Sequence, residues 1–147
     1  MDDIMRAYNL PPHQRQEAAK AIDAKTNEIP KTHVLLRQFL PAFGHFIITD
    51  LKNITKLRTV QAALAVQRYS LKNNKLPDSL KTLVPDYLDV VPLDPFDGKE
   101  LKYKKLDKGF VIYSIGEDKI GDGGKEQPKN KNQRDGSTYD ITFIIER

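Results

Sequence analysis

The chain contains no cysteine, which excludes a disulfide framework, thiol catalysis and cysteine-ligated zinc while leaving its compartment open. It also lacks any run of the roughly 18 to 20 apolar residues that would span a bilayer. The nearest approach, FLPAFGHFII at 39–48, is short and interrupted by Pro41, Gly44 and His45. MDDIMRAYNLPPHQ at the N-terminus has neither the basic start nor the apolar middle of a signal peptide. Catalytic signatures are missing too. His13, His33 and His45 are scattered, and there is no H-E-x-x-H or G-x-S-x-G. The chain reads as soluble, and as compatible with being the soluble part of a longer, anchored protein.

What is present fits one domain with a modest core: 147 residues, 39% hydrophobic and 30% charged, with a mean hydropathy of −0.57. The net charge of +4 comes from 24 basic and 20 acidic residues that interleave along the chain. That pattern reads as charge for solubility rather than as a nucleic-acid footprint.

HQRQEAAKAIDAKTNE at 13–28 is rich in helix formers, with Ala18, Ala19, Ala21 and Ile22 as a weak apolar face, and predicts a peripheral helix. Beyond Pro30 a long helical spine follows, which Pro41 and Gly44 would kink or divide. In it Leu57, Val60, Leu64 and Leu71, widened by Ala63, predict the face that packs on a sheet or another helix. Asn73 and Asn74 are stop residues. Pro77, Pro85, Pro92 and Pro95 then break up any long element, and Asp78 would cap a short helix reaching about Val84. LKYKKL, the turn DKG and FVIYSI predict a β-hairpin, and TYDITFIIE at 138–146 a last strand. The fold class is therefore α+β: a spine helix on a small three-stranded antiparallel sheet, with residues 1–50 as a helical extension packed on the same core.

The stretch YSIGEDKIGDGG at 113–124 raises the question of a site. It fails the phosphate-loop spacing, and it fails the calcium-binding EF-hand, because the third residue from Asp118 is Ile120 and the twelfth Lys129. Calcium in an irregular loop stays open, since the ion takes six to eight oxygens in flexible geometry. Asp118, Asp122 and Asp140 would converge if the final strand pairs beside Ile115. Equally open is the reading that Asp and Gly stand here only because turns favour them. The pair Asp94 and Asp97 in PLDPFDGK reads as turn-fixing rather than as acid and base. Lys102, Lys104 and Lys105, with Lys125, Lys129 and Lys131 in the loop, offer a different function: a basic module that binds an anionic polymer or surface.

From Ala63 onward the order of elements resembles the soluble part of the major pseudopilins of type II secretion, which are type IV pilin-like. The residues that carry the likeness are Tyr69, Asn73, Pro77, Leu80, Asp94, Pro95, Phe96, Tyr113, Ser114, Gly116, Asp118, Asp140 and Ile141, across more than half the chain. LPDSLKTLVPDYL, PLDPFDGK and YSIGEDKIGDGG are similar, more closely still, to envelope-associated proteins of planctomycete-type bacteria carrying this C-terminal module. The resemblance implies a noncatalytic structural or interaction domain over 51–147, placed on the extracytoplasmic side of the cell envelope. Its partners would be envelope proteins or further copies of itself, with no specific nucleic acid, and it would reach the membrane only through a segment absent from this chain. It also implies a calcium ion in the last loop, held by Asp118 and Asp140, with Asp122 as a third ligand and a contribution from the Ser114 carbonyl. The chain departs from the family in lacking an apolar membrane helix continuous with the spine, in having Lys119 where a glycine follows the aspartate, in having Tyr139 where a second aspartate is frequent, and in its lysine-rich insert at 125–134.

Overall fold

The computed structural model describes residues 2–26, 28–125 and 140–146. The chain divides into two compact units, Met1–Asn53 and Ile54–Arg147.

In the first unit α1 (Asp2–Asn9) and α2 (Pro12–Thr26) precede the start of α3 (Val34–Asn73). Pro12 opens α2, where its missing N–H costs nothing because first-turn amides have no partner in the helix. Gln16, Ala19, Ile22 and Thr26 form the buried face; Ala21, expected on it, is exposed. Arg15 gathers the unit: Nε donates to the Leu10 carbonyl at 2.8 Å, Nη1 to Asp50 Oδ2 at 3.3 Å, and the guanidinium lies 4.9 Å from the centre of the Tyr8 ring. At Gly44 α3 comes close to α2: a Cβ there would collide with the Asp23 carboxylate. Pro41 lies inside α3, which is one helix rather than two.

The second unit is the α+β body, in which α3 packs against a three-stranded antiparallel sheet ordered β1 (Lys102–Leu106), β2 (Gly109–Ser114), β3 (Ile141–Glu146). Helix α3 ends as the sequence predicts: Asn73 Nδ2 donates to the Tyr69 carbonyl at 2.9 Å, and Asn74 turns to φ 52°, the left-handed conformation that stops helices. The hairpin turn is shorter than DKG, because Gly109 already belongs to β2 opposite Leu106. Gly109 has φ 146°, and a Cβ there would collide with the Ile145 carbonyl of β3.

Alternation assigns the sheet faces. Tyr103, Phe110, Ile112, Phe143 and Ile145 join Ala62, Ala63, Ala65, Val66, Leu80, Leu83, Leu88 and Leu101 in the core. Tyr103 donates from its hydroxyl to the Pro77 carbonyl at 3.0 Å, and burial, with Asp78 nearby, raises its pKa to about 12. The helix face in this core is not the expected one. Leu57, Leu64 and Leu71 are exposed, while Thr55, Thr59, Ala62, Ala63 and Val66 are buried. Small residues let a helix lie close to a sheet, so the large apolar residues mark the outer face. The short helix also differs: it is a 3-10 turn, Leu80–Leu83, with Ser79 at its N-cap position making no side-chain cap. Asp78 instead accepts from Lys105 Nζ at 2.7 Å, and that hydrogen bond and charge lower its pKa.

The two helix faces make opposite predictions. Val66→Ala should cost about 2 kcal/mol, as a buried side chain is truncated, whereas Leu64→Ala should stay within about 0.5 kcal/mol. Urea unfolding of both variants measures the difference, and equal losses would refute this orientation of the helix.

Candidate functional site

Loop 92–101 is pinched shut by its own backbone. Leu101 N–H donates to the Pro92 carbonyl at 3.0 Å, Asp94 N–H to the Lys99 carbonyl at 2.6 Å and Gly98 N–H to the Asp94 carbonyl at 2.9 Å. Arg58 Nη1 of α3 reaches the Leu93 carbonyl at 2.6 Å. Within this loop the Asp94 carboxylate is buried and accepts three donors: Phe96 N–H at 2.9 Å and Ser114 Oγ at 2.9 Å on Oδ1, and Ile115 N–H at 3.0 Å on Oδ2. Ser114 Oγ in turn accepts from Gly116 N–H at 3.1 Å. Asp97 accepts from Lys99 N–H at 2.8 Å. Both carboxylates therefore fix turns, and Asp94 also fastens the loop to the end of β2.

That end of β2 is where the aspartates meet. The ladder closes with Ser114 opposite Ile141, so Asp140 and the residues after Ser114 leave the same end of the sheet. Asp118 Oδ1 accepts from Ile120 N–H at 3.1 Å, and Lys119 takes φ 60°. The position where the resemblance has glycine thus adopts a backbone that favours glycine. The chain then returns across the outer face of the sheet, and Gly124, at φ 84°, lies so close to Val111 and Tyr113 that an added Cβ would stand 3.1 Å and 3.2 Å from their side chains. From there Gly124 N–H donates to Asp140 Oδ2 at 2.7 Å.

Asp140 is buried, and its pKa is raised. Desolvation is the largest cause, backbone hydrogen bonds from Gly124 and Asp122 oppose it, and the Asp122 and Asp118 carboxylates add to it. The three aspartates named from the sequence are therefore within electrostatic reach of one another, and Asp122 is the exposed member. Two buried oxygens, Asp118 Oδ2 and Asp140 Oδ1, have no hydrogen-bond partner. Buried carboxylate oxygens without donors are costly, and a hard divalent cation is the ligand that suits them. Among the described residues no group of three or more His, Asp or Glu side chains is disposed to hold a metal. Calcium would therefore take two carboxylates here and complete its shell with backbone carbonyls and water, a mixture it accepts.

Among the described residues the lysines named above do not form one patch. Lys102 and Lys104 lie on the outer face of β1, while Lys105 points to the opposite face and pairs with Asp78. Asp107 and Glu146 stand with Lys104, Lys105 and Lys108 around one shallow hollow. Lys125 lies beyond Gly124 in the loop, and Lys129 and Lys131 lie outside the described residues. His13, His33 and His45 are all exposed.

No family model, no curated protein and no solved structure matches this chain.

Two predictions follow from the carboxylates. Asp94→Ala should cost at least about 2 kcal/mol in chemical denaturation, because three donors lose a charged acceptor; a loss below about 0.5 kcal/mol would remove its fastening role. Asp140 binds its proton more tightly in the folded chain than in the unfolded one, whose value is near 3.8. In chelator its contribution to stability should therefore be full below 3.8 and fade as pH rises through the raised folded value. Asp140→Asn should flatten that dependence and melt higher than the parent at pH 7 without metal, and a lower melting point for the variant would contradict the assignment.

Proposed function

We propose that the chain is a noncatalytic structural and interaction domain of pseudopilin type, working on the extracytoplasmic side of the cell envelope and stabilised by calcium in its last loop. The observation that carries this reading is that Asp118 and Asp140 lie within electrostatic reach of each other, each with a buried oxygen that has no hydrogen-bond partner. The order of elements supports it: a spine helix, a pinched proline-rich loop, a hairpin and a returning strand. In this reading Asp118 and Asp140 hold the ion, Asp122 adds charge from the exposed side, and the Ser114 carbonyl is a further donor. The ion would neutralise Asp140, tie the loop to β3 and perform no reaction.

Two side-chain ligands predict weak binding, on the order of 0.1 to 1 mM, the range of extracellular calcium modules. Such a site would fill only where calcium is abundant, which favours the extracytoplasmic placement. The attachment to a membrane would come from a segment outside this sequence. A basic module for anionic polymers finds less support, because the lysines divide between two faces and lie among acids.

The test is a melting curve in millimolar calcium against chelator. With a dissociation constant near 1 mM, about 10 mM calcium should add about 1.4 kcal/mol, which raises Tm by several degrees in a domain of this size. Asp118→Ala and Asp140→Asn should abolish the response, and magnesium should not replace calcium. An unchanged midpoint in the parent chain would remove the ion from the proposal.

A further inference from the structure

Helix α3 carries an exposed apolar face along the second unit. Leu57, Val60, Leu64 and Leu71 point away from the sheet and are 71%, 36%, 59% and 70% exposed. A surface helix ordinarily turns its polar residues outward. Here the outward apolar residues follow a heptad: Leu57, Leu64 and Leu71 take the a position and Val60 the d position, while the next d residue, Gln67, is half-buried at the edge of the seam. Leucines at that repeat form the holes that receive the side chains of another helix. The helix is already held in shape by its opposite face, where Thr59, Ala62 and Val66 are buried. A partner would therefore dock on a preformed surface and meet little ordering cost there.

Charge decides which helix fits. Between Ile54 and Asn73 the chain carries Lys56, Arg58, Arg68 and Lys72 and no acidic residue. Lys56 takes the g position beside the apolar seam and Arg68 the e position, where interhelical ion pairs select partners. A parallel second copy would set Lys56 against Gln61 and Arg68 against Ala63. That arrangement makes no ion pair and brings two basic helices together. A helix with glutamate on its flanks would meet both cations.

We propose that the outer seam of α3, from Leu57 to Leu71, docks an amphipathic helix of a partner protein with apolar a and d positions and acidic e and g flanks. This deepens the interaction role proposed above and rests on it. The seam shares no residue with the calcium loop, so binding measured in both calcium and chelator separates the two ideas.

The probe is a synthetic heptad peptide, matched in length to Ile54–Asn73, with leucine or isoleucine at a and d and glutamate at e and g. Its twin carries lysine at e and g. The full chain should bind the acidic peptide, less tightly as salt rises, and should not bind the basic one. Leu57→Glu and Leu64→Glu should each weaken binding about tenfold or more and leave Tm unchanged, since both side chains are exposed. Val90→Glu, at a residue exposed elsewhere in the unit, should have no effect. Joint Lys56→Glu and Arg68→Glu should transfer preference to the basic peptide. Binding of neither peptide, equal binding of both, self-association in sedimentation, or seam insertion into anionic vesicles without peptide binding would each overturn the proposal.

Discussion

The second unit depends on one buried anion. A carboxylate removed from water is tolerable only when donors surround it, and Asp94 is met by a hydroxyl and two backbone amides, one from its own turn and two from the end of β2. Those donors fix the turn after Asp94, the last residue of β2 and the first residue of the following loop in one arrangement. The proline-rich segment consequently needs no regular secondary structure of its own. Its prolines limit the conformations available to the unfolded chain, and the anion chooses among those that remain.

The site at the end of the sheet follows from that fixed point. Because Ser114 and Ile115 are pinned, the chain leaves β2 in a defined direction, and Gly124 can return to lie on Val111 and Tyr113. Val111 is buried on the face of the sheet opposite the helix, so this loop serves as a third layer over part of an antiparallel sheet. Asp140 then occupies a place with two amide donors and two neighbouring carboxylates. The same unit thus holds one carboxylate with donors on both oxygens, Asp94, and one with a bare oxygen, Asp140 Oδ1. The first supplies rigidity, and the second is the site at which calcium is proposed.

Much of the fold was legible because its signals are local. LKYKKL and FVIYSI alternate with the period of a strand, a glycine follows their turn, and two asparagines end the spine. The orientation of the spine was not legible, for a physical reason. Periodicity weights large apolar side chains, yet close packing on the sheet selects threonine and alanine at Thr55, Thr59, Ala62 and Ala63. The hydrophobic stripe was real, and it marked the face turned to solvent. The role of Asp94 could be read only as a turn, since its partners Ser114 and Ile115 are distant in sequence. The approach of Asp118 to Asp140 likewise depends on β2 pairing with β3, which spacing alone does not encode, so the sequence offers it only as a condition. The split of Lys102 and Lys104 from Lys105 follows from strand alternation, which their nearness in sequence conceals.

Gly109 sets a limit of another kind. It opens β2 where β3 passes so closely that no side chain fits between Gly109 and the Ile145 carbonyl, and its φ of 146° is one that other residues rarely adopt. Exposed positions such as Lys104 or Lys108 can drift under selection for solubility or partner choice. Position 109 has no such freedom: any side chain there would have to push β3 aside and hold a strained backbone, so this point of the sheet is closed to substitution whatever the domain binds.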